Sequence, residues 1–379
     1  MRGALAAIAA ALWLVAGGGA RALAHQQTTT FGEITYPAAG GDGADLTWRL
    51  RIRAIDLARM LGDRAPHAWE ILRGGLHVAA TIGDETHLCA AGATTLAPDP
   101  TAPEPTSVFV ERFACGPGAR TLHLRYDLFF DHDPYHASYT RLALGDEPSD
   151  DASASIVFHN LAHEIAVDVH LPAPLWKTAL IYLRLGVAHI LTGYDHLAFL
   201  AALLLGAGLR TRTRDATAAQ AATPRQAIRG TIAVVSAFTV AHSITLVTQV
   251  LRPGLLGTRF VEPAIAFSVA FVAFENLVPR APRGRWLLVF GFGLVHGLGF
   301  ASVLREIGLP RRGLLLSLLS FNLGVELGQL LVVALALPII VACARRSPAG
   351  FERWGLRVGS ATLGLLGTIW LVARLAARQ

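Results

Sequence analysis

Twelve polar or ionisable residues punctuate the apolar second half of this chain: His189, Asp195, His196, His242, Ser243, Glu262, Glu275, Asn276, His296, Asn322, Glu326 and Gln329. They recur in five successive hydrophobic segments. A charged or imidazole side chain at bilayer depth costs roughly 2.5–3.5 kcal/mol on insertion scales unless it is paired or lines a wet cavity. Side chains of metal-ligating type that return from segment to segment therefore predict one shared polar site within a helix bundle.

The hydrophobic pattern predicts six membrane spans, at about 178–205, 230–251, 263–279, 286–304, 313–343 and 358–374. Most are close to the ~20 residues that a helical crossing needs. The first 24 residues read as a cleaved secretory signal, with Arg2 at its start, an apolar core from Ala4 to Ala16 and a small-x-small site at Ala22-Leu23-Ala24. With the following domain outside, the loops 206–229, 280–285 and 344–357 are cytoplasmic, and they carry twelve arginines against seven on the opposite side. That bias obeys the positive-inside rule. The expected location is a bacterial inner membrane, with the N-terminal domain and the C-terminus periplasmic.

Residues 25–175 have a different character. They hold 20 Asp and Glu against 10 Arg, whereas residues 176–379 hold 7 acids against 21 Lys and Arg. An acidic exported half concentrates cations, and no basic–aromatic cluster points to nucleic acid. Alternating or β-branched runs at Thr47–Ile52, Ser107–Phe113, Leu122–Tyr126 and Ser155–Phe158 predict strands, and Asp56–Leu61 predicts a short helix. Gly-rich and Pro-rich breakers separate them, which favours a sandwich. Cys89 and Cys115 suit one disulfide in an oxidising compartment; Cys343 lies near a span end. The fold class expected is an α-helical polytopic membrane protein preceded by an exported all-β, sandwich-like domain. Its divisions are a signal peptide over 1–24, a periplasmic β-rich domain over 25–175 and a six-helix transmembrane domain over 176–379.

The first span carries His189, Gly193, Asp195 and His196. On an ideal helix the two histidines share a face but stand about 10.5 Å apart along the axis, too far for one ion unless the helix bends, and Gly193 permits a bend. His242 is the candidate in the second span, where Ser243 and its neighbouring hydroxyls suit bonds to their own helix or between helices. Glu262 precedes Pro263 and suits either a helix cap or a metal-site carboxylate; Glu275 and Asn276 stand near a span end and are candidates for lining a pathway. His296 is flanked by Gly291, Gly293, Gly297 and Gly299, which suit either a tight crossing or room for an ion beside the ring. Asn322, Glu326 and Gln329 form one stripe at i, i+4 and i+7. Imidazole with carboxylate suits Ni, Co, Zn, Fe or Cu over Mg or Ca.

The exported half holds ten of the fourteen histidines. Asp131, His132, Asp133 and His136 form one cluster dense enough to hold a cation; His159, His163, Glu164, Asp168 and His170 form another, and His25 would head the mature chain. The chain has no GxxxxGKS/T phosphate loop, no GxSxG and no HExxH. Any transport would be passive, ion-coupled or energised by a partner.

The membrane half resembles the HupE/UreJ family, in its branch with an exported N-terminal domain. The likeness rests on His189-Ile-Leu-Thr-Gly-Tyr-Asp195-His196, Ala237-Phe-Thr-Val-Ala-His242-Ser-Ile-Thr245, Val261-Glu262, Phe292-Gly-Leu-Val-His296-Gly-Leu-Gly-Phe300 and Phe321-Asn322-Leu-Gly-Val-Glu326-Leu-Gly-Gln329. Tyr126-Asp-Leu-Phe-Phe-Asp131-His-Asp-Pro134 is similar to the exported domain of that branch. Better-studied members have a proline after the first histidine, where this chain has Ile190. The resemblance implies uptake of nickel or cobalt; the ligand chemistry leaves zinc, copper and iron as further options. The partners expected are the metal ion, the lipid bilayer and a periplasmic metal carrier. The ion path would be formed by His189, Asp195, His196, His242, His296 and Glu326, with Asn322 and Gln329 as neutral oxygen donors. A membrane-embedded metalloenzyme and a membrane-anchored sensor or assembly factor are the alternatives.

Overall fold

The computed structural model describes residues 28–37, 45–62, 68–100, 102, 105–134, 136–144, 153–160, 162–169, 175–209, 221–252, 258–278, 284–306 and 313–376. The expected signal peptide, with His25, and His170 lie outside the described residues. Two compact units emerge, with main segments Gln26–Ile181 for the first and Tyr182–Ser302 with Ser317–Gln379 for the second.

The first unit is built on strands β1 (Thr29–Tyr36), β2 (Asp45–Arg53), β3 (Leu76–Ile82), β4 (Glu85–Leu88), β5 (Ala90–Pro98), β6 (Thr106–Ala114), β7 (Thr121–Tyr126), β8 (Ala137–Leu144), β9 (Ser153–His159) and β10 (Glu164–Asp168). They form a six-stranded sheet, β5-β6-β2-β1-β8-β9, and a four-stranded sheet, β10-β7-β3-β4. All pairings are antiparallel except β1 with β8. Inward residues of both sheets, among them Trp48, Phe109, Leu124, Tyr126 and Phe158, share one apolar core. Short helices α1 (Ala54–Leu61) and α2 (Ala68–Arg73) add Met60 and Leu72 to it. Cys89 and Cys115 are disulfide-bonded.

The four runs expected as strands lie in β2, β6, β7 and β9, and the expected short helix is α1. Other strands escaped the period-two pattern for physical reasons. β8 is buried at nearly every position, so its sequence does not alternate. β5 is exposed along most of its length as an edge strand, so no apolar face marks it.

The second unit is helical: α3 (Leu175–Thr192), α4 (Tyr194–Ala207), α5 (Pro224–Leu251), α6 (Thr258–Glu275), α7 (Arg285–Glu306), α8 (Leu314–Arg346) and α9 (Pro348–Ala376). Helix α5 opens on a capping box in which Thr223 and Gln226 bond reciprocally around Pro224. Helix α8 passes through Pro338 without interruption, and α9 contains a π-helical stretch, Phe351–Val358. Among the described residues, α5, α8 and α9 are long and apolar enough to cross a membrane, and the bent pair α3–α4 brings the number to four. Helices α6 and α7 occupy the third and fourth expected spans. Pro263 lies inside α6 rather than at its start, so Glu262 is not the helix cap that its position before proline suggested.

Candidate metal centre

Backbone geometry at Gly193 creates the site. Helices α3 and α4 meet there at 68°, with Gly193 extended at φ −78° and ψ 93°. A Cβ at this position would stand 2.6 Å from the His189 carbonyl oxygen and 2.7 Å from His196 Nδ1. The bend folds the two histidines, seven residues apart, onto each other: their ring centroids are 4.6 Å apart, edge to face. The separation expected of a straight helix is therefore halved by one glycine.

His242 of α5 completes the group. One ring nitrogen from each of His189, His196 and His242 lies within 4.8 Å of the other two. His296 of α7 stands beside them, its ring 5.3 Å from that of His196. Its Nδ1 lies 2.9 Å from the Phe292 carbonyl oxygen and donates to it, which fixes the tautomer and leaves Nε2 as the bare lone pair. That Nε2 and both ring nitrogens of His196 are buried without a hydrogen-bond partner among the described residues. Buried polar atoms of this kind require an explanation, and a cluster of candidate ligand nitrogens is one. Phe199, Phe238 and Phe321 pack on the rings and wall the cluster in hydrocarbon.

The helix α8 stripe stands next to the imidazoles, on two ties to α5. Ser236 Oγ donates to Glu326 Oε1 at 2.9 Å, and Thr239 Oγ1 donates to Gln329 Oε1 at 2.8 Å. Ser236 and Thr239 were not singled out as site residues; their i, i+3 spacing opposite Glu326 and Gln329 was the available signal. Asn322 donates to the Leu318 carbonyl at 2.9 Å, and its carboxamide is the polar neighbour of the His242 ring, short of strict hydrogen-bond geometry. Ser243 bonds only to its own helix, at the Thr239 carbonyl. A cavity of about 10 Å³ is lined by His196, Gln329 and apolar residues of α4 and α5, about the room that one water or ion needs.

Close backbone contacts lock the arrangement. At Gly186 and Gly324, where α3 crosses α8, a Cβ would collide with the Phe321 and Leu183 carbonyls respectively. At Gly293 and Gly297, where α7 crosses α5, a Cβ would strike backbone atoms of Phe238 and His242. Gly293 and Gly297 beside His296 thus serve the tight crossing with α5, Gly299 packs toward Ile265 and Val261 of α6, and a Cβ at Gly291 would meet open space.

Several expected site residues lie elsewhere. The Asp195 carboxylate forms an ion pair with Arg374 of α9, Oδ2 to Nη2 at 2.7 Å. The Glu262 side chain is exposed, and its carbonyl accepts from Arg374 Nη1 at 2.9 Å. Asn276 staples helices together: it donates to the Ala202 carbonyl at 2.7 Å and Ser360 at 3.2 Å, and accepts from Arg285 at 3.0 Å. Glu275 pairs with the same Arg285 at 3.5 Å. Ala202 is more than a turn along α4 from His196, so this group is separate from the imidazoles.

In the first unit, the expected cation cluster is divided between core and surface, with Asp133 and His136 joined through Thr28. His136 is fully buried, with Thr28 Oγ1 at 2.9 Å from Nδ1 and the Tyr126 hydroxyl at 2.9 Å from Nε2. Burial pushes its pKa down to about 4, against the opposing pull of Asp133. Asp133 itself accepts from the Thr28 amide and hydroxyl, and His132 is exposed. In the second cluster, His163 turns to Asp127 at 2.9 Å rather than to the neighbouring acids.

Helices long and apolar enough to cross a membrane, with an imidazole cluster among them, point to a membrane protein with a polar site in its helical unit. A family model described as HupE / UreJ protein matches residues 166–374, more than half of the chain. The chain belongs to the HupE/UreJ family, which is associated with metal transport, of nickel and cobalt. No curated protein matches it.

Proposed function

We propose that this protein is a secondary permease or channel for a divalent transition metal, nickel or cobalt first, rather than an enzyme. The observation that carries the reading is the convergence of His189, His196 and His242, from three helices, on one point. Imidazole is a borderline ligand that suits first-row transition metals and not magnesium or calcium. Nitrogens within 4.8 Å of one another are on the scale of the roughly 3.4 Å edge of a tetrahedral site with bonds of about 2.1 Å, and conduction needs binding that is both favourable and releasable.

In this reading six membrane crossings are made by the bent pair α3–α4 and by α5, α6, α7, α8 and α9, in a bacterial inner membrane with both chain ends periplasmic. The broken first crossing is a form that transporters use for ion sites at mid-membrane. The acidic β-rich unit would be exported and would raise the local cation concentration or receive the metal from a periplasmic carrier. Uptake of radioactive nickel and cobalt by cells with and without the gene tests the reading. Faster uptake that His196→Ala abolishes is expected; unchanged uptake of nickel, cobalt, zinc, copper and iron would sink it.

A further inference from the structure

Arg374 does something that the metal reading alone does not require. It stands in the last turn of α9 and reaches two elements at once, Asp195 at the start of α4 and the Glu262 carbonyl in α6. Asp195 immediately precedes His196 in α4, so the ion pair stands one residue from the imidazole cluster. The carboxylate of a residue next to a candidate ligand histidine is a natural oxygen donor for a cation held by nitrogens. That carboxylate is already occupied by a cation belonging to the protein.

We propose that Arg374 is a tethered competitor: it holds Asp195 away from the imidazole cluster at rest, and an incoming divalent ion gains the carboxylate only by displacing the guanidinium. The inference rests on the metal reading and adds a specificity-determining residue to it. Three features support displacement. The pair is not sealed, since the two side chains remain 22% and 23% exposed, so water can replace either partner. The arginine lies in a terminal helical turn, where local opening costs least. Its two-point grip is on one carboxylate oxygen and one backbone carbonyl, not the bidentate fork on a carboxylate that gives the strongest arginine pairs. A free carboxylate beside the imidazoles would bind a divalent ion too tightly for release. A charge that competes for it lowers the resting affinity and rejects monovalent cations, which gain less from Asp195 than Arg374 does.

The test is titration of the purified full-length protein in detergent with nickel chloride, followed by calorimetry. Arg374→Gln is expected to bind nickel at least ten-fold more tightly than the wild type. Arg374→Lys, which keeps a charge but loses the two-point grip, should move affinity the same way by a smaller factor. Adding Asp195→Asn to Arg374→Gln should erase the gain, because the freed ligand is gone. A purely structural role predicts the reverse: looser packing and weaker binding. Arg374→Gln with wild-type or weaker affinity, at an unchanged melting temperature and elution volume, overturns the proposal. Should that variant not fold, Arg374→Lys decides by the same criterion. Nickel binding by neither wild type nor variants would end the metal reading itself, and this inference with it.

Discussion

A single methyl group at Gly193 should disable the site while leaving the bundle folded. In Gly193→Ala the new Cβ would meet the His189 carbonyl at 2.6 Å and His196 Nδ1 at 2.7 Å. Both approaches fall about 0.7–0.8 Å inside the 3.4 Å at which ordinary contact begins. The carbonyl is part of the helix and cannot yield, so the bend must open or the His196 ring must swing out. Alanine also favours continuous helix over glycine by about 1 kcal/mol, which pushes the pair α3–α4 toward a straight span with its histidines about 10.5 Å apart. Metal–ligand bonds tolerate only about ±0.2 Å, so a shift of 0.7 Å removes His196 from the shell. Loss of an outer partner already costs about 10–100-fold in affinity, and loss of a ligand costs at least that. Nickel titration of the detergent-purified protein reads the effect, with circular dichroism confirming helix content. Gly291→Ala is the control, because a Cβ there meets open space. A Gly193→Ala protein with wild-type nickel affinity would refute the claim that this bend assembles the cluster.

Three other outcomes are expected. The His136 pKa lies at about 4 in the folded unit against an ordinary 6.5, so its neutral form contributes stability that is full above pH 6.5 and is lost as pH falls through 4, about 3.4 kcal/mol at the limit. Glu111, buried and raised to about 7, works in the opposite sense: its contribution is full below pH 4.5 and is lost as pH rises through 7. Denaturation of the β-rich unit should therefore depend weakly on pH between those limits in the wild type, and Glu111→Gln should unmask a steep acid loss; a flat profile in that variant would count against the assignment. Asn276→Ala should lower the melting temperature of the helical unit, through loss of contacts to three other helices worth about 1–3 kcal/mol, yet leave nickel affinity unchanged, since it does not touch the imidazoles. Reduction of the Cys89–Cys115 bond, with its 26-residue separation, should destabilise the β-rich unit by about 3.5 kcal/mol, seen as a drop in its denaturant midpoint.

The imidazole cluster was legible because burial in hydrocarbon makes each histidine conspicuous, and because Gly193 between His189 and His196 marked the one place where a bend could join them. Side-chain competition was less legible. Asp195 sits beside His196 in sequence, but its partner, Arg374, is 179 residues away, and no local pattern links them. Gly293 and Gly297 beside His296 carried two meanings, room or close contact, and the placement of α5 decided between them. His136 shows the same limit in the β-rich unit: a histidine among acids resembles a ligand until Thr28 and Tyr126, far apart in the chain, are seen to satisfy both its nitrogens.

X-ray absorption at the nickel edge of the metal-loaded protein tests most directly whether the imidazoles act as one site. The outer-shell scattering of ring carbons should report two or three histidines per nickel, falling by one in His242→Ala. A shell made of oxygen alone, or one unchanged when His189, His196 and His242 are all replaced by alanine, would contradict the account.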